Sequence, residues 1–481
     1  MTREKYKAVG EVSPLKDITP DWFQTYSYLS ENKDYHILLE SGRGGRYSII
    51  GLDPWAVLRG KDHLLTVQTA DGEEQLEGPL LLSLRKWLEP LSVKPDPSLP
   101  EFQGGLIGQF SYDLIREIES LPAQAADDLQ TDDVCLLAFH EVTVIDHKKD
   151  EIWFIAVVPK EENDAAHRPV LLKEKWMNAG KNAGHHYIPV KKTEEQPDRE
   201  VLERSFPEEE FKKAVEKTKY YIREGDVFQV NLSVRETRPL YTEPLHIYSC
   251  LRRVNPSPYM GYMATPELQY VSASPELLVK VKGEEISTRP IAGTRSRGKD
   301  DEEDQALADT LLNNEKERAE HIMLVDLERN DLGRVSEYGS VEVDELMVIE
   351  KYSHVMHIVS NVKGKKADNY DALDVISATF PGGTITGAPK IRTMEIIEEL
   401  EPVRRGAYTG SFGWIGFQGD MELNITIRTM VIKDGKAHVQ AGAGIVIDSD
   451  PKAEYKESLK KAKALWKAKE MSEEELRRKI L

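Results

Sequence analysis

Two pairs of glutamates stand out by their spacing: Glu317 with Glu320, and Glu454 with Glu457. Residues three apart on a helix share a face, so each pair presents two carboxylates together. Set opposite one another, the pairs offer hard oxygen ligands for Mg²⁺ and leave positions open for water and an anionic substrate. One such pair is the ordinary solvated face of an acidic chain; two, beside further polar motifs, carry more weight. Ahead of both pairs lies Arg289-Pro290-Ile291-Ala292-Gly293-Thr294-Arg295. It reads as a strand end entering a tight turn, with bare backbone at Gly293, a hydroxyl at Thr294 and a guanidinium on either side, a shape suited to a small di-acid. Pro381–Lys390 is a Gly/Thr turn opening into a helix. Gly382 and Gly387 have the interval of a phosphate loop, but Ala388-Pro389 replaces the Lys-Ser/Thr pair and Pro389 lacks an N–H, which argues against a nucleotide. A carboxylate site at a helix N-terminus remains.

Single residues add to these motifs. In Ser353-His354-Val355-Met356-His357, strand alternation places His354 with Met356 on one face and His357 with Val355 on the other. A histidine there serves as an acid or base, or as a hydrogen-bonded core residue. Arg428 is a charge in an apolar strand pattern and needs a fixed partner, structural or substrate. Glu276 ends another strand, where desolvation makes a general acid. Ala441-Gly442-Ala443-Gly444 lets backbone approach a ligand, or packs closely in a strand.

The elements that must position these residues change character along the chain. Residues up to about 160 read mostly as strands, with runs beginning at Ile37 and Tyr47, a glycine-dense strand at 104–108, an apolar strand at 152–158 and one helix over 80–91. A polar connection follows, partly helical at 171–177. From Phe206 the pattern is mixed. A helix runs from Pro207 to a stop at Gly225; strands are expected at 227–235, 270–273, 277–281, 410–417 and 425–432. Long helices are expected over 302–326, 389–400 and 452–481.

With 481 residues, 40% of them apolar, the chain can bury a large core. Its 64 basic and 83 acidic residues give a net charge of −19, mixed throughout, which points to a soluble cytosolic protein and away from nucleic acid as the main partner. Cys135 and Cys250 make neither a disulfide framework nor a zinc cluster. Neither a signal-peptide core nor a membrane-length apolar run is evident.

Taken together, Arg289–Arg295, Glu317–Asn330, Ser353–His357, Pro381–Lys390 and Ala441–Glu457 resemble the chorismate-utilising enzymes, a family that includes anthranilate, aminodeoxychorismate, isochorismate and salicylate synthases. Leu38-Leu39-Glu40-Ser41 and Gly45-Arg46-Tyr47-Ser48 fit its two aminating members. The resemblance implies an α+β fold of two interwoven lobes, built on large antiparallel β-sheets with helices packed outside, as in anthranilate synthase component I. It divides the chain into an N-terminal lobe over 1–165, a connection over 166–205 and a catalytic lobe over 206–481. It implies Mg²⁺ on Glu320 and Glu457, supported by Glu317 and Glu454, holding the ring carboxylate of chorismate. Tyr408, Arg428 and the Gly442-Ala443-Gly444 backbone would hold the enolpyruvyl carboxylate side. Gly293, Thr294 and Thr384 would line the ring, Glu276 would protonate the departing C4 hydroxyl, and His357 would sit over the ring.

Gln229 stands where water-using members resemble one another in carrying lysine. Glutamine cannot act as a base, so ammonia is the expected nucleophile. Ala292 stands where many C4-aminating members carry a nucleophilic lysine, which excludes a covalent adduct through this position. The overall pattern favours amination at C4 over amination at C2 with loss of pyruvate. A third alternative is a silent subunit that binds tryptophan or scaffolds a partner. Neither cysteine sits on the Gly-x-Cys-x-Gly elbow of a class I glutaminase, so a glutamine amidotransferase subunit is the expected nitrogen-supplying partner. Glu40, Ser41, Pro258, Tyr259 and Met260 resemble the family's tryptophan pocket.

Overall fold

The computed structural model describes residues 5–42, 45–183, 202–352 and 355–480; Ser353, His354 and 184–201 of the connection lie outside them. The alternating apolar runs resolve into two large, almost wholly antiparallel sheets, and each sheet draws strands from both halves of the chain. In the first, the C-terminal strands Gln229–Pro239, Lys436–Ile445, Thr429–Lys433, Gln269–Ser274 and Tyr259–Ala264 run side by side. The last of these pairs with His36–Glu40, and the N-terminal strands continue outward through Tyr47–Gly51. In the second, Ile291–Ser296, Val355–Lys365, Glu285–Thr288, Leu277–Lys282, Met421–Ile425 and Ser411–Gly416 meet Gly105–Phe110 at a similar seam. The seams are fully buried, with Leu38, Tyr262, Ile107 and Phe412 nearly inaccessible. Apolar clusters accordingly mix the halves: Phe23 and Leu38 pack with Ile247 and Met430.

Helices cover the sheets. Glu208–Glu224 has three acids in its first turn and buries Phe211, Ala214, Val215 and Thr218 at helical spacing. Gly225 stops it in the left-handed region, at φ 85°. The single helix expected over 302–326 is two, Asp301–Leu312 and Glu315–Gly333. Asn313 ends the first, and Asn314 caps the second by accepting the Glu317 N–H at 3.1 Å. The closing helix is likewise broken at Ala462, into Pro451–Lys461 and Lys463–Ile480. The strand expected over 425–432 also divides. Met421–Ile425 belongs to the second sheet and Thr429–Lys433 to the first, and the chain crosses between them through Thr426-Ile427-Arg428.

One buried cation ties this region together. Arg405 forks onto Glu401 at 2.7 and 3.0 Å, with both side chains almost inaccessible. It also donates to the carbonyls of Asn231 (2.7 Å) and Ile385 (3.0 Å). Glu401 in turn accepts from the Ser233 N–H and hydroxyl, each at 2.8 Å. Truncating one partner of such a pair strands the other charge. Arg405→Met is therefore expected to cost about 3–5 kcal/mol in urea unfolding, and Arg405→Met/Glu401→Leu together less than the single change.

Candidate active site

A cavity of about 760 Å³ lies where the crossovers between the two sheets meet the acidic helices. Four glutamates enter from the helices. Glu317 and Glu320 come from the start of Glu315–Gly333, and Glu454 and Glu457 from Pro451–Lys461, which Asp450 caps at the Ala453 N–H (2.8 Å). Burial raises the Glu317 pKa, and the charges of Glu320 and Glu457 raise it further. Burial and Glu457 do the same to Glu454. Acids crowded in this way favour a cation among them. Among the described residues no three of these glutamates bring a carboxylate oxygen each within 4.8 Å of one another. The set therefore fits a hydrated hard cation held by one or two carboxylates and an anionic ligand, not a closed protein cage. Gln229 Nε2 donates to Glu320 Oε1 at 3.1 Å, and Lys461 bridges Glu457 (3.0 Å) and the Gly442 carbonyl (2.9 Å).

The turn expected at Gly293 is a β-bulge inside the Ile291–Ser296 strand, with a register shift between Ala292 and Thr294. Gly293 sits at φ 61°, and a Cβ there would meet Glu317 Oε2 and Leu311 Cδ1 at 2.9 Å, so glycine is required on two counts. Across the ladder from Thr294 lies His357. Its Nδ1 donates to the Gly293 carbonyl at 3.0 Å, with Thr294 Oγ1 at 3.1 Å, which leaves Nε2 as the free acceptor. Burial lowers its pKa, so the ring is neutral near pH 7. The alternation holds for the described residues, Val355 lining the cavity with His357 while Met356 is buried beneath; His354 lies outside them. Of the two flanking guanidiniums, Arg295 reaches the cavity. Arg289 turns away to Glu345 (2.7 Å) and Glu350 (2.5 Å).

Glu276 and Arg428 occupy two adjacent crossovers between the sheets. Each crossover anchors the other, Ile425 N–H to Glu276 O and Ala273 N–H to Arg428 O, both at 3.0 Å. Arg428 is thus not a strand residue; it takes a left-handed conformation at φ 52°. Its guanidinium makes no hydrogen bond or salt bridge among the described residues, although Glu276 and Tyr408 offset the pKa lowering that burial causes. A half-buried guanidinium without a protein partner, facing a cavity, calls for an anion. Burial pushes the Glu276 carboxyl up to about 7. Thr384, Ile291 and Arg428 counter this in part, and Glu276 Oε1 has no protein partner.

Thr384 and Tyr408 line the same cavity, as do Gly442 and Gly444. A Cβ at Gly442 would meet Tyr408 Oη at 2.9 Å, and one at Gly444 would meet Gln229 Nε2 at 2.3 Å, so only glycine leaves this space open. Ala443 points to the opposite, fully buried face and does not line the cavity. Ala292 does line it. Sequence reasoning missed Asn231, Gln440, Lys316, Lys460 and Lys461, all on the lining. Two of these were within reach, since Asn231 and Gln440 each lie two residues along a strand from a recognised position; the lysines look like ordinary surface charges. Glu40, Ser41, Pro258, Tyr259 and Met260 converge on a separate cavity of about 270 Å³, floored by Phe412 and Trp414. There Glu40 is held by Arg252 at 2.7–3.0 Å.

The family model for chorismate binding enzymes matches residues 35–467. The chain belongs to the chorismate-binding enzymes. This chorismate-binding enzyme is 52% identical over 457 residues to aminodeoxychorismate synthase component 1 of Bacillus subtilis, covering 94% of this chain and 96% of the relative. It is 45% identical to anthranilate synthase component 1 of Thermus thermophilus, covering 93% and 95%. Among solved structures, anthranilate synthase component I of Streptococcus pneumoniae superposes with a TM-score of 0.74 at 36% identity, over 89% of this chain and 93% of the other. The fold is therefore the mixed, two-sheet architecture of anthranilate synthase component I. Among the described residues no helix is long and apolar enough to cross a membrane.

A carboxyl that must donate a proton fails once it is ionised. With Glu276 at about 7, kcat/KM is expected to fall as pH rises through that value. Glu276→Gln should abolish this limb and lower kcat by roughly 10²–10⁴, as read from pH–rate profiles of both proteins.

Proposed function

We propose that this chain is the chorismate-aminating component of an aminodeoxychorismate synthase. It would replace the C4 hydroxyl of chorismate with ammonia to give 4-amino-4-deoxychorismate, on the route to 4-aminobenzoate and folate. The observation that carries the amination is Gln229. It occupies the cavity wall with its amide engaged by Glu320, so no ionisable base stands there to activate water. Preference for C4 is supported by the 52% identity to an aminodeoxychorismate synthase component, against 45% for an anthranilate synthase. Ala292 favours the second reading, C2 amination as in anthranilate synthases, because its methyl group supplies no nucleophile.

In the proposed reaction Arg428, the Tyr408 hydroxyl and the Gly442 and Gly444 backbone hold the enolpyruvyl carboxylate. Thr384, Gly293 and Thr294 border the ring, and His357 faces it with Nε2. Glu276 gives its proton to the departing C4 hydroxyl, which leaves as water; ammonia forms the C4–N bond and returns a proton to the Glu276 carboxylate. Glu320 and Glu457 would hold Mg²⁺, with Glu317 and Glu454 beside them, and the ion would supply charge neutralisation at the ring carboxylate. Ammonia would come from a separate glutamine amidotransferase subunit, consistent with relatives named component 1. Cys135 lies within the Val134–Phe139 strand and Cys250 within the Pro244–Val254 helix. Both are buried and their thiols raised by burial, Cys135 to about 12, so neither serves as a glutaminase nucleophile.

The deciding assay supplies chorismate, Mg²⁺ and ammonium, with and without aminodeoxychorismate lyase. Lyase-dependent 4-aminobenzoate without anthranilate is expected; anthranilate formed without the lyase would move the chain to the C2 reading. Glu320→Gln should remove Mg²⁺-dependent turnover while leaving the far-UV circular dichroism unchanged, and near wild-type activity would sink the metal assignment. Ala292→Lys should not by itself create a competent covalent enzyme, because the residues around it must also fit a lysine; a mass-shifted adduct formed with good turnover would refute this.

A further inference from the structure

The charge of the chain as a whole, −19, repels a dianion, yet the cavity mouth breaks the pattern. Arg295 follows the Gly293 bulge, Lys316 opens one acidic helix and Lys460 closes the other, and all three line the cavity. Lys316 and Lys460 are exposed, and neither makes a salt bridge or hydrogen bond among the described residues. Arg295 donates only to its neighbour's carbonyl, Thr294 O, at 3.2 Å. Nearby cations are committed. Arg289 binds Glu345 and Glu350, and Arg297 forks onto Asp304 at 2.6–3.0 Å. Lys461 is engaged by Glu457.

The balance at the cavity turns on these three residues. Four glutamates face Arg295, Arg428, Lys316, Lys460 and Lys461, a small positive excess while Glu276 holds its proton. Without the three, two protein cations would face four carboxylates, so that Mg²⁺ would only offset the glutamates and no net attraction would remain for a dianionic substrate.

We propose that Arg295, Lys316 and Lys460 form a basic collar that draws the dianionic substrate into the cavity and favours it over ring analogues lacking one carboxylate. The inference rests on the chorismate reading. The collar determines specificity and capture; it takes no part in bond making. Fields of this kind raise encounter rates by about 10–10³-fold at low salt and fade as the screening length shrinks to about 8 Å at physiological ionic strength.

The test compares wild type with Arg295→Gln/Lys316→Gln/Lys460→Gln from low to physiological ionic strength, with chorismate and ammonium. The triple variant is expected to lose on the order of tenfold in kcat/KM at low salt, through KM. Its kcat should stay within about threefold, its KM for ammonia should not move, and its salt dependence should be flattened. Lys316→Arg/Lys460→Arg should keep the wild-type salt response, and its loss would show that shape and not charge is at work. Equal salt dependence in wild type and triple variant, or kcat falling in step with kcat/KM, would overturn the collar. No turnover of chorismate by the wild type would sink the proposed function and the collar with it; turnover with salt-independent kcat/KM would sink the collar alone.

Discussion

Two strands that change sheets side by side govern the rest of the site. A polypeptide leaving one sheet for another must turn its backbone out of both ladders, and its freed N–H and C=O groups need new partners. Here the two crossovers satisfy each other, Ile425 with Glu276 and Ala273 with Arg428. Their side chains consequently meet on the wall of one cavity, a buried acid and a half-buried guanidinium partly withdrawn from solvent. Desolvation then raises one pKa and lowers the other, the properties that the proposed proton donor and anion receptor require. The chemistry follows from where the chain has to bend.

Around that cavity the Arg405–Glu401 pair fixes distance. Its bonds reach the backbone at Asn231 and Ile385, neighbours of Gln229 and Thr384, and the guanidinium lies over the Tyr408 ring at 5.4 Å. Gln440 extends the network by donating to Ser233 Oγ at 2.9 Å. The cavity lining is thus set by a charge pair that lies behind it, an arrangement in which lining residues are held rigid by the groups that support them.

Much of this was legible in the sequence. The glutamate pairs, His357, Gly293 and the Gly442–Gly444 run are visible because helix and strand periodicities translate spacing directly into shared faces. Alternation shows the strands, whereas the antiparallel, two-sheet character and the pocket at Glu40 and Tyr259 were implied by the family resemblance. Other features escaped for physical reasons. Arg428 read as a strand residue because apolar neighbours flank it on both sides, and nothing local records that those neighbours belong to different sheets. The helix expected over 302–326 broke because two consecutive asparagines, weak signals singly, end one helix and cap the next. Arg289 and Arg295 look equivalent in sequence. Only the distant Glu345 and Glu350 decide which one is consumed.

The seams between the halves have a consequence for how the protein comes into being. His36–Glu40 finds its ladder partner in Tyr259–Ala264, and Gly105–Phe110 in Ser411–Gly416, hundreds of residues downstream. During synthesis the early strands must leave the ribosome with bare, apolar edges and wait for most of the chain to follow. Such a topology folds late and slowly, because loop closure precedes any reward from pairing. For the nascent polypeptide the dangerous interval is therefore spent half-made, when a chaperone or a neighbouring copy is the only surface on offer.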